Sequence, residues 1–271
     1  MPFDPEAIRA FERARWQQAA SAYEASFATA TRQFIDPLLD AVNIAPGIRL
    51  LDIACGPGLV SARANLRGAL SRGLDFSPAM LAIARRHHPA ISFEEGDAEA
   101  LPYPDHAFDA VVSNFGIHHV PQPQRALHEA HRVLRQAGRV AFSFWADHRD
   151  NIGWKLLFDA IARHGDPSSS DAPLPGGGFR GAEQCAGALR AAGFADCTTQ
   201  LVRATWHHAD AGGLVAALQA GTARMAAMIE AQNPSAMPAI ITDLEANAAE
   251  YRTAEGIAIP IAAVIAAGTR H

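Results

Sequence analysis

Between residues 49 and 145, short apolar runs alternate with segments of helical periodicity. The first run, Arg49–Ala54 (RLLDIA), leads into glycines, as a buried parallel strand does. Strands joined by helices run parallel through right-handed crossovers, and the helices cover both faces of the sheet. Further strands are predicted to end at Gly73–Asp75 and to span Ile91–Glu95, Phe108–Asn114, Arg139–Trp145, Ala195–Trp206 and Ile257–Ala267. This pattern predicts a doubly wound α/β fold with a mostly parallel, seven-stranded sheet.

Helical segments flank the alternating region and are not needed to complete the sheet. Residues 5–43 repeat apolar side chains at three- to five-residue steps, and residues 211–232 and 236–252 also have helical spacing. We therefore expect one domain with additions that can close over its core. The expected division of residues 1–271 is an N-terminal helical cap over 1–45, a core over 46–206 and 255–271, and a helical insertion or lid over 207–254.

Composition narrows the possible partners and the compartment. The net charge is −5 and no basic stripe is visible, which argues against a nucleic-acid partner. No apolar stretch is long enough to span a bilayer, and the N-terminus lacks the apolar core of a secretory signal, so no membrane insertion is expected. Cys55, Cys185 and Cys197 are too few and too scattered for a disulfide framework, which favours the reducing cytoplasm. The adjacent histidine pairs lack metal-ligand spacing, so no metal is expected.

The segment Leu50–Ala62 (LLDIACGPGLVSA) passes from the first predicted strand through a tight turn into a helix. Gly56 and Gly58 remove side chains from that turn, so a ligand can approach backbone N–H groups at the start of the helix. A dinucleotide fingerprint begins similarly, but it requires a third glycine that is absent here. A glycine turn that only connects strand and helix is the alternative interpretation.

Two aspartates follow the next two predicted strands. Asp75 lies where a carboxylate can accept hydrogen bonds from both hydroxyls of a ribose, as in nicotinamide enzymes. Asp97 can accept from an adenine amino group while the Ala98 N–H faces a ring nitrogen, and Phe76 and Met80 can flank the base. Either aspartate alone is a common strand-end turn residue. At successive strand ends around one switch point, the set indicates an adenosine-containing ligand.

The ordered set of these segments resembles class I S-adenosylmethionine-dependent methyltransferases. The resemblance covers residues 50–145 and is greatest to the subgroup of ubiquinone and menaquinone C-methyltransferases. It rests on LLDIACGPG, GLDFSPAML, GDAEALPYPDHAFDAVVSNFGIHHV and ALHEAHRVLRQAGRVAFSFW. The family's usual Lys-Pro-Gly turn before the fifth strand is replaced here by Arg135–Gly138. The resemblance implies a Rossmann-like fold, S-adenosylmethionine as cofactor and a small-molecule methyl acceptor.

The resemblance also implies roles for individual residues. The glycine turn would border the methionine moiety, Asp75 would hold the ribose, and the adenine would lie between Asp97, Ala98 and Phe76 or Met80. The end of the fourth strand would lie near the methionine amino group and the sulfonium. An N-terminal aromatic would cap the cofactor, with Tyr23 as the first candidate and Phe27 as the second. The implied cofactor-binding residues are Tyr23, Gly56, Pro57, Gly58, Asp75, Phe76, Met80, Asp97, Ala98, Asn114 and Phe115.

A sulfonium needs no covalent nucleophile, so the main catalytic task is to hold the acceptor in line with the methyl group. An acceptor O–H, ring C–H or protonated nitrogen also needs a general base. His118 and His119 form the one titratable pair beside the predicted methyl position and are the catalytic candidates, with packing as the alternative. Whether oxygen, nitrogen or carbon is methylated stays open. The sequence SNFG lacks the Asn-Pro-Pro-aromatic run of enzymes that methylate planar amino groups.

The acceptor side is less well defined. An apolar face offers either a lining for an acceptor pocket or a stripe for core packing; it comprises Leu214, Leu218, Met225, Met228 and Ile229. Two other functions fit parts of the pattern. One is a nicotinamide-dependent oxidoreductase, which would not require Asp97. The other is a protein that binds S-adenosylmethionine without catalysis.

Overall fold

The computed structural model describes residues 3–170, 172–173 and 181–271. In this part of the chain, eight strands form one sheet. They are β1 Arg49–Ile53, β2 Leu70–Asp75, β3 Ser92–Glu95, β4 Phe108–Asn114, β5 Leu134–Trp145, β6 Ala195–His208, β7 Arg252–Thr253 and β8 Gly256–Thr269. The strand order is β3-β2-β1-β4-β5-β8-β6, and the two-residue β7 pairs with β8 alone. Strands β1 to β5 pair in parallel, whereas β8 is antiparallel to β5 and β6. The predicted fold class is therefore confirmed, with β7 as a short addition.

Helices cover both faces of the sheet because the strands alternate their side chains between the two faces. In β1, Leu51 and Ile53 join one buried cluster, whereas Leu50 joins another on the opposite face. The α-helices of the described segments are α1 Pro5–Tyr23, α2 Ala28–Thr31, α3 Ile35–Ala41, α4 Leu59–Leu66, α5 Pro78–His87, α6 Pro123–Val133, α7 Ile152–His164, α8 Ala182–Ala191, α9 Ala211–Gly221, α10 Arg224–Glu230 and α11 Met237–Asn247. No helix in these segments is long and apolar enough to cross a membrane.

The helical stretch predicted over 211–232 is wrong in one respect, because it divides into α9 and α10. The break is at Thr222, whose backbone is extended at φ −129° and ψ 162°. Its hydroxyl donates to the carbonyl of Leu218 and accepts from the N–H of Ala226. One side chain thus satisfies backbone groups at the end of α9 and at the start of α10, where apolar periodicity shows no interruption.

The core of β1 offers a direct test of how packing stabilises the fold. Leu51 is 0% exposed, whereas Leu66 at the end of α4 is 80% exposed. We expect Leu51→Ala to lower the free energy of unfolding by about 2–5 kcal/mol, since it removes buried methyl groups and leaves a cavity. The matched control Leu66→Ala should change it by no more than about 0.5 kcal/mol. Urea unfolding measures both; equal losses in the two variants would contradict the assignment of Leu51 to the core.

Candidate functional site

The carboxyl ends of the parallel strands meet at one edge of the sheet, and a cavity of about 480 Å³ opens there. Most of the residues that the sequence analysis proposed for a cofactor line this cavity. They are Tyr23, Gly56, Asp75, Phe76, Met80, Asp97, Ala98, Asn114 and Phe115, and the catalytic candidate His119 joins them. Three other proposed residues, Pro57, Gly58 and His118, do not line it.

The two glycines of the first turn have different surroundings. Gly56 has φ +53°, and the nearest atom to a Cβ added there is the Met80 sulfur at 4.0 Å. Gly58 has φ +83°, and its added Cβ would lie 2.6 Å from the Phe93 ring. Gly56 therefore leaves open space beside the cavity, whereas Gly58 allows the start of α4 to pack against β3. Pro57 lines a small adjoining pocket of about 40 Å³.

The Asp75 carboxylate joins the turn after β1 to the start of α5. Its Oδ2 accepts from the N–H of Gly56 at 2.8 Å, and its Oδ1 accepts from the N–H of Ser77 at 2.8 Å. Burial raises the pKa of Asp75 to about 6, against the opposing effect of these backbone hydrogen bonds. Each carboxylate oxygen keeps a further lone pair. Above its pKa, Asp75 is thus a fixed acceptor of hydrogen bonds at the cavity wall.

Asp52 is a buried carboxylate to which the sequence analysis assigned no function. Its Oδ2 accepts from the N–H and the hydroxyl of Ser61 at 3.1 and 2.8 Å. Its Oδ1 is buried and has no hydrogen-bond partner among the described residues. Burial raises the pKa of Asp52 to about 7, and the charge of Asp75 adds to the increase. The sequence signal for Asp52 was an acidic residue next to the apolar residues of the strand RLLDI. In the structure Asp52 lines the small pocket that adjoins the cavity.

Ion pairs from α1 hold that helix over the end of β3. Arg9 donates to Glu99 at 2.5 Å and lies 3.2 Å from Asp97, and Arg13 pairs with Glu95 at 2.7 Å. The other oxygen of Asp97 accepts from the N–H of Glu99 at 2.8 Å. Both oxygens of Asp97 therefore already have partners where Asp97 lines the cavity. A ligand that binds to the Asp97 carboxylate would bind it alongside Arg9. Arg9 and Arg13 also line the cavity, although the apolar periodicity of α1 did not point to them.

The end of β4 is fixed by a hydrogen-bonded network. Asn114 accepts from the Ser143 hydroxyl at 2.7 Å and donates to the carbonyl of Thr31 at 3.1 Å. Phe115 has φ +56°, and its ring stacks on Trp145 with centroids 4.1 Å apart. These contacts hold the strand end and the segment around α2 against each other. The side chains that the resemblance places near the sulfonium are therefore rigidly positioned.

Tyr23 reaches the cavity from the end of α1. Its hydroxyl lies 3.0 Å from the Thr31 hydroxyl, and burial raises its pKa to about 12. The second candidate, Phe27, is buried in the cluster around Trp145, Trp154 and Trp206 and does not line the cavity. Of the two aromatics, Tyr23 is thus the one in a position to cap a ligand.

The two candidate histidines have different surroundings. His119 lines the cavity, and its Nδ1 lies 3.0 Å from an oxygen of Glu12. His118 does not line the cavity, and its Nδ1 is buried without a hydrogen-bond partner in the described segments. Burial lowers the pKa of His118 well below its usual value, and the charges of His119 and Arg224 act in the same direction. His119 is therefore the histidine that a ligand in the cavity can contact.

The apolar stripe of the insertion packs into the core. Leu214, Leu218 and Ile229 are buried in the cluster that contains Trp206, and neither they nor Met225 and Met228 line the cavity. Of the two interpretations that the sequence left open for this stripe, the structure supports core packing over a lining of this cavity. The helices cover the antiparallel half of the sheet, and their contact with the site is Arg224, which forms an ion pair with Glu12.

No cluster in the described ranges brings together three histidine, cysteine, aspartate or glutamate side chains that could hold a metal ion.

Known proteins resemble the part of the chain that contains the parallel strands β1 to β4. Residues 51–142 match the family model described as a methyltransferase domain. A demethylmenaquinone methyltransferase of Renibacterium salmoninarum is 42% identical over 110 residues, which are 41% of this chain and 46% of that protein. A ubiquinone/menaquinone biosynthesis C-methyltransferase of Methylobacterium nodulans is 42% identical over 123 residues, or 42% and 48% of the two chains. The chain thus spans about half the length of the curated relatives it matches.

Two solved structures share the fold over most of this chain. The YcgJ protein of Bacillus subtilis has a TM-score of 0.58 at 17% identity. The superposition covers 88% of this chain and 98% of that protein. A phosphoethanolamine N-methyltransferase 2 of Haemonchus contortus, solved with S-adenosyl-L-methionine, has a TM-score of 0.53 at 17% identity. That superposition covers 88% of this chain and 52% of the Haemonchus contortus protein. At these identities the likeness shows the fold.

The raised pKa of Asp52 makes the stability of the fold depend on pH. Between about pH 4 and 7 the folded protein keeps a proton on Asp52 that the unfolded chain has released. Asp52 therefore lowers the free energy of unfolding as pH rises through this window, by up to about 1.4 kcal/mol per pH unit. We expect Asp52→Asn to remove that contribution in urea unfolding, whereas the exposed control Asp40→Asn should leave it. Wild-type and Asp52→Asn curves that stay parallel from pH 4 to 7 would contradict the buried-acid assignment.

Proposed function

We propose that this chain is a class I S-adenosylmethionine-dependent methyltransferase that transfers a methyl group from S-adenosylmethionine to a small-molecule acceptor; residues 51–142 match the methyltransferase domain model. The observation that carries the proposal is the shared cavity. Residues that follow four successive parallel strands, Gly56, Asp75, Asp97 and Asn114, all line it. The curated relatives add support, since their names describe methyl transfer in quinone biosynthesis.

The polar groups of the cavity fit the proposed cofactor. The lone pairs of Asp75 suit the ribose hydroxyls. In the adjoining pocket, the unpartnered Oδ1 of Asp52 suits a cationic or hydrogen-donating group beside Gly56 when Asp52 is ionised. Phe76 and Met80 offer apolar faces to the adenine, with Asp97 and Ala98 at its edge. When bound, S-adenosylmethionine supplies a methyl group on a sulfonium, whose sulfur leaves with the bonding electrons. Tyr23 then covers the cofactor from the end of α1.

The acceptor is proposed to enter beside α1, where Trp16, His119, Val120 and Pro121 line the cavity. These four side chains present aromatic and apolar surface with one imidazole, whereas the charged Arg9 and Arg13 lie farther along the same side near Asp97. The surface around His119 suits a small, partly hydrophobic molecule that must lose a proton. His119 is the proposed general base, and the rest of the wall aligns the acceptor with the methyl group and excludes water. The cap over 1–45 and the insertion over 207–254 enclose this side in the proposed single domain. Three free thiols are in keeping with a cytoplasmic location.

Ribose recognition by Asp75 has a direct test in ligand binding. We expect calorimetry at pH 8 to give tighter binding of S-adenosylhomocysteine than of its 2′,3′-dideoxy analogue. The difference should be tenfold or more, since each charge-assisted hydrogen bond contributes about 1.5–3 kcal/mol. Asp75→Asn should lose most of this preference, and the surface control Asp40→Asn should keep it. Equal preference in wild type and Asp75→Asn would contradict the ribose assignment, and tight binding of NAD alone would favour the oxidoreductase alternative.

Catalysis by His119 separates an enzyme from a protein that only binds the cofactor. With a panel of quinols, phenols, catechols and amines as acceptors, we expect wild-type turnover with at least one class. His119→Asn should lower that kcat by about 10²–10⁴-fold, the usual contribution of a general base, with S-adenosylhomocysteine affinity nearly unchanged. His148→Asn, at an exposed histidine away from the cavity, is the matched control. Cofactor binding without turnover on any class would support the non-catalytic alternative.

A further inference from the structure

We propose that Glu12 is a positioning residue that holds His119 in the tautomer able to take a proton from the methyl acceptor. This inference rests on the proposed function, because it concerns the same cavity. Glu12 lies on α1 and is 1% exposed, which is rare for a carboxylate without a specific partner. Three side chains from α1, α10 and the turn after β4 surround it: Trp16, Arg224 and His119.

Both oxygens of the Glu12 carboxylate are engaged. Oε2 accepts from the Trp16 indole N–H at 2.9 Å and lies 3.0 Å from Nδ1 of His119. Oε1 forms an ion pair with the Arg224 guanidinium. The Trp16 ring also packs edge-on against the His119 ring, with centroids 4.9 Å apart. The imidazole is therefore held in place by one hydrogen bond and one aromatic contact.

The charge of Glu12 decides which nitrogen of His119 carries the proton. Burial opposes ionisation of Glu12, but His119, Arg224 and Trp16 together hold the pKa of the carboxyl below its usual value. An ionised carboxylate can only accept hydrogen bonds, so Nδ1 must be the donor. In a neutral imidazole Nε2 then carries the free lone pair. Nε2 makes no hydrogen bond within the described part of the chain, and the ring, 17% exposed, lines the cavity.

Two titratable groups lie directly beside the His119 ring. Glu12, which forms an ion pair with Arg224 of α10, contacts Nδ1 from α1. His118, whose ring centroid is 4.2 Å away, stays neutral because burial lowers its pKa well below the usual value. A proton that arrives on Nε2 is therefore placed on a ring whose Nδ1–H already contacts a carboxylate.

The proton and electrons of the proposed step balance without a further reactant. The acceptor's X–H bond supplies the electron pair of the new bond to the methyl carbon, and its proton goes to Nε2 of His119. The electrons of the broken carbon–sulfur bond remain on sulfur. In this step Glu12 exchanges no proton with the acceptor or the cofactor and acts through His119, although it also lines the cavity.

Replacement of Glu12 by glutamine gives a specific prediction about the tautomer. Arg224 and the Trp16 indole can both only donate hydrogen bonds, and the one glutamine carbonyl can face only one of them. The bond to the charged guanidinium is the stronger, so the carbonyl would face Arg224 and the NH₂ group would face Trp16 and Nδ1. Nδ1 would then have to accept, and the proton would move to Nε2. We expect ¹⁵N spectra of the uniformly ¹⁵N-labelled full chain, recorded without ligand, to show the Nδ1–H form of His119 in wild type and the Nε2–H form in Glu12→Gln.

The controls separate this role from general stabilisation of α1. Glu24→Gln alters another Glu–His pair, with Glu24 3.2 Å from His87 at the surface, and should leave the His119 spectrum unchanged. Glu12→Asp keeps the charge and should keep the Nδ1–H form, which preserves the test if Glu12→Gln fails to fold. An Nε2–H form in wild type, or the same tautomer in wild type and Glu12→Gln, would overturn the proposal.

Kinetics supply a second readout once an acceptor from the panel supports turnover. We expect Glu12→Gln to lower kcat by about 10²–10⁴-fold while KM changes little, because only the proton acceptor is lost. Glu12→Asp should recover part of kcat. A rise in KM with unchanged kcat would assign Glu12 to structure alone. Failure of wild type to bind S-adenosylmethionine would instead overturn the proposed function, and the tautomer result would stand apart from it.

Discussion

Parallel pairing of β1 with both β2 and β4 is the constraint on which the cavity depends. It brings the carboxyl ends of these strands to one edge, so that short turns after each strand face a common space. Asp75 then locks two of these turns together by accepting from Gly56 and from Ser77. The geometry of the cavity therefore follows from backbone hydrogen bonding, and few side chains are needed to maintain it.

Charged residues, and not an apolar lid, complete the cavity on the side of α1. Arg9 and Arg13 bind carboxylates at the end of β3, and Glu12 joins α1 to α10 through Arg224. A buried ion pair carries a large desolvation cost, and an apolar contact of similar volume would join the two helices at least as well. The buried Glu12–Arg224 pair lies beside His119 despite its desolvation cost, and we therefore assign the Glu12 carboxylate a role in positioning the imidazole.

Much of the fold was predictable because it is encoded by local patterns. Strand β4 has the predicted bounds Phe108–Asn114, since it is a nearly continuous apolar run with polar residues at its end. The division of α9 from α10 was not predictable, because one hydroxyl, that of Thr222, ends one helix and starts the next. Apolar spacing also could not distinguish a pocket lining from core packing at Leu214 and Leu218, since both environments favour the same residue types.

The sequence by itself determined the parallel sheet and the residues that follow its strands, because strand ends and their turns are local features of the chain. Only the tertiary structure decided which side chains meet them. It selected His119 over His118, turned Gly58 toward Phe93, and brought Glu12 against a histidine 107 residues away. Such contacts depend on how a helix is oriented against a distant strand end. That orientation is set by packing and ion pairs between elements far apart in the chain, which local periodicity does not encode.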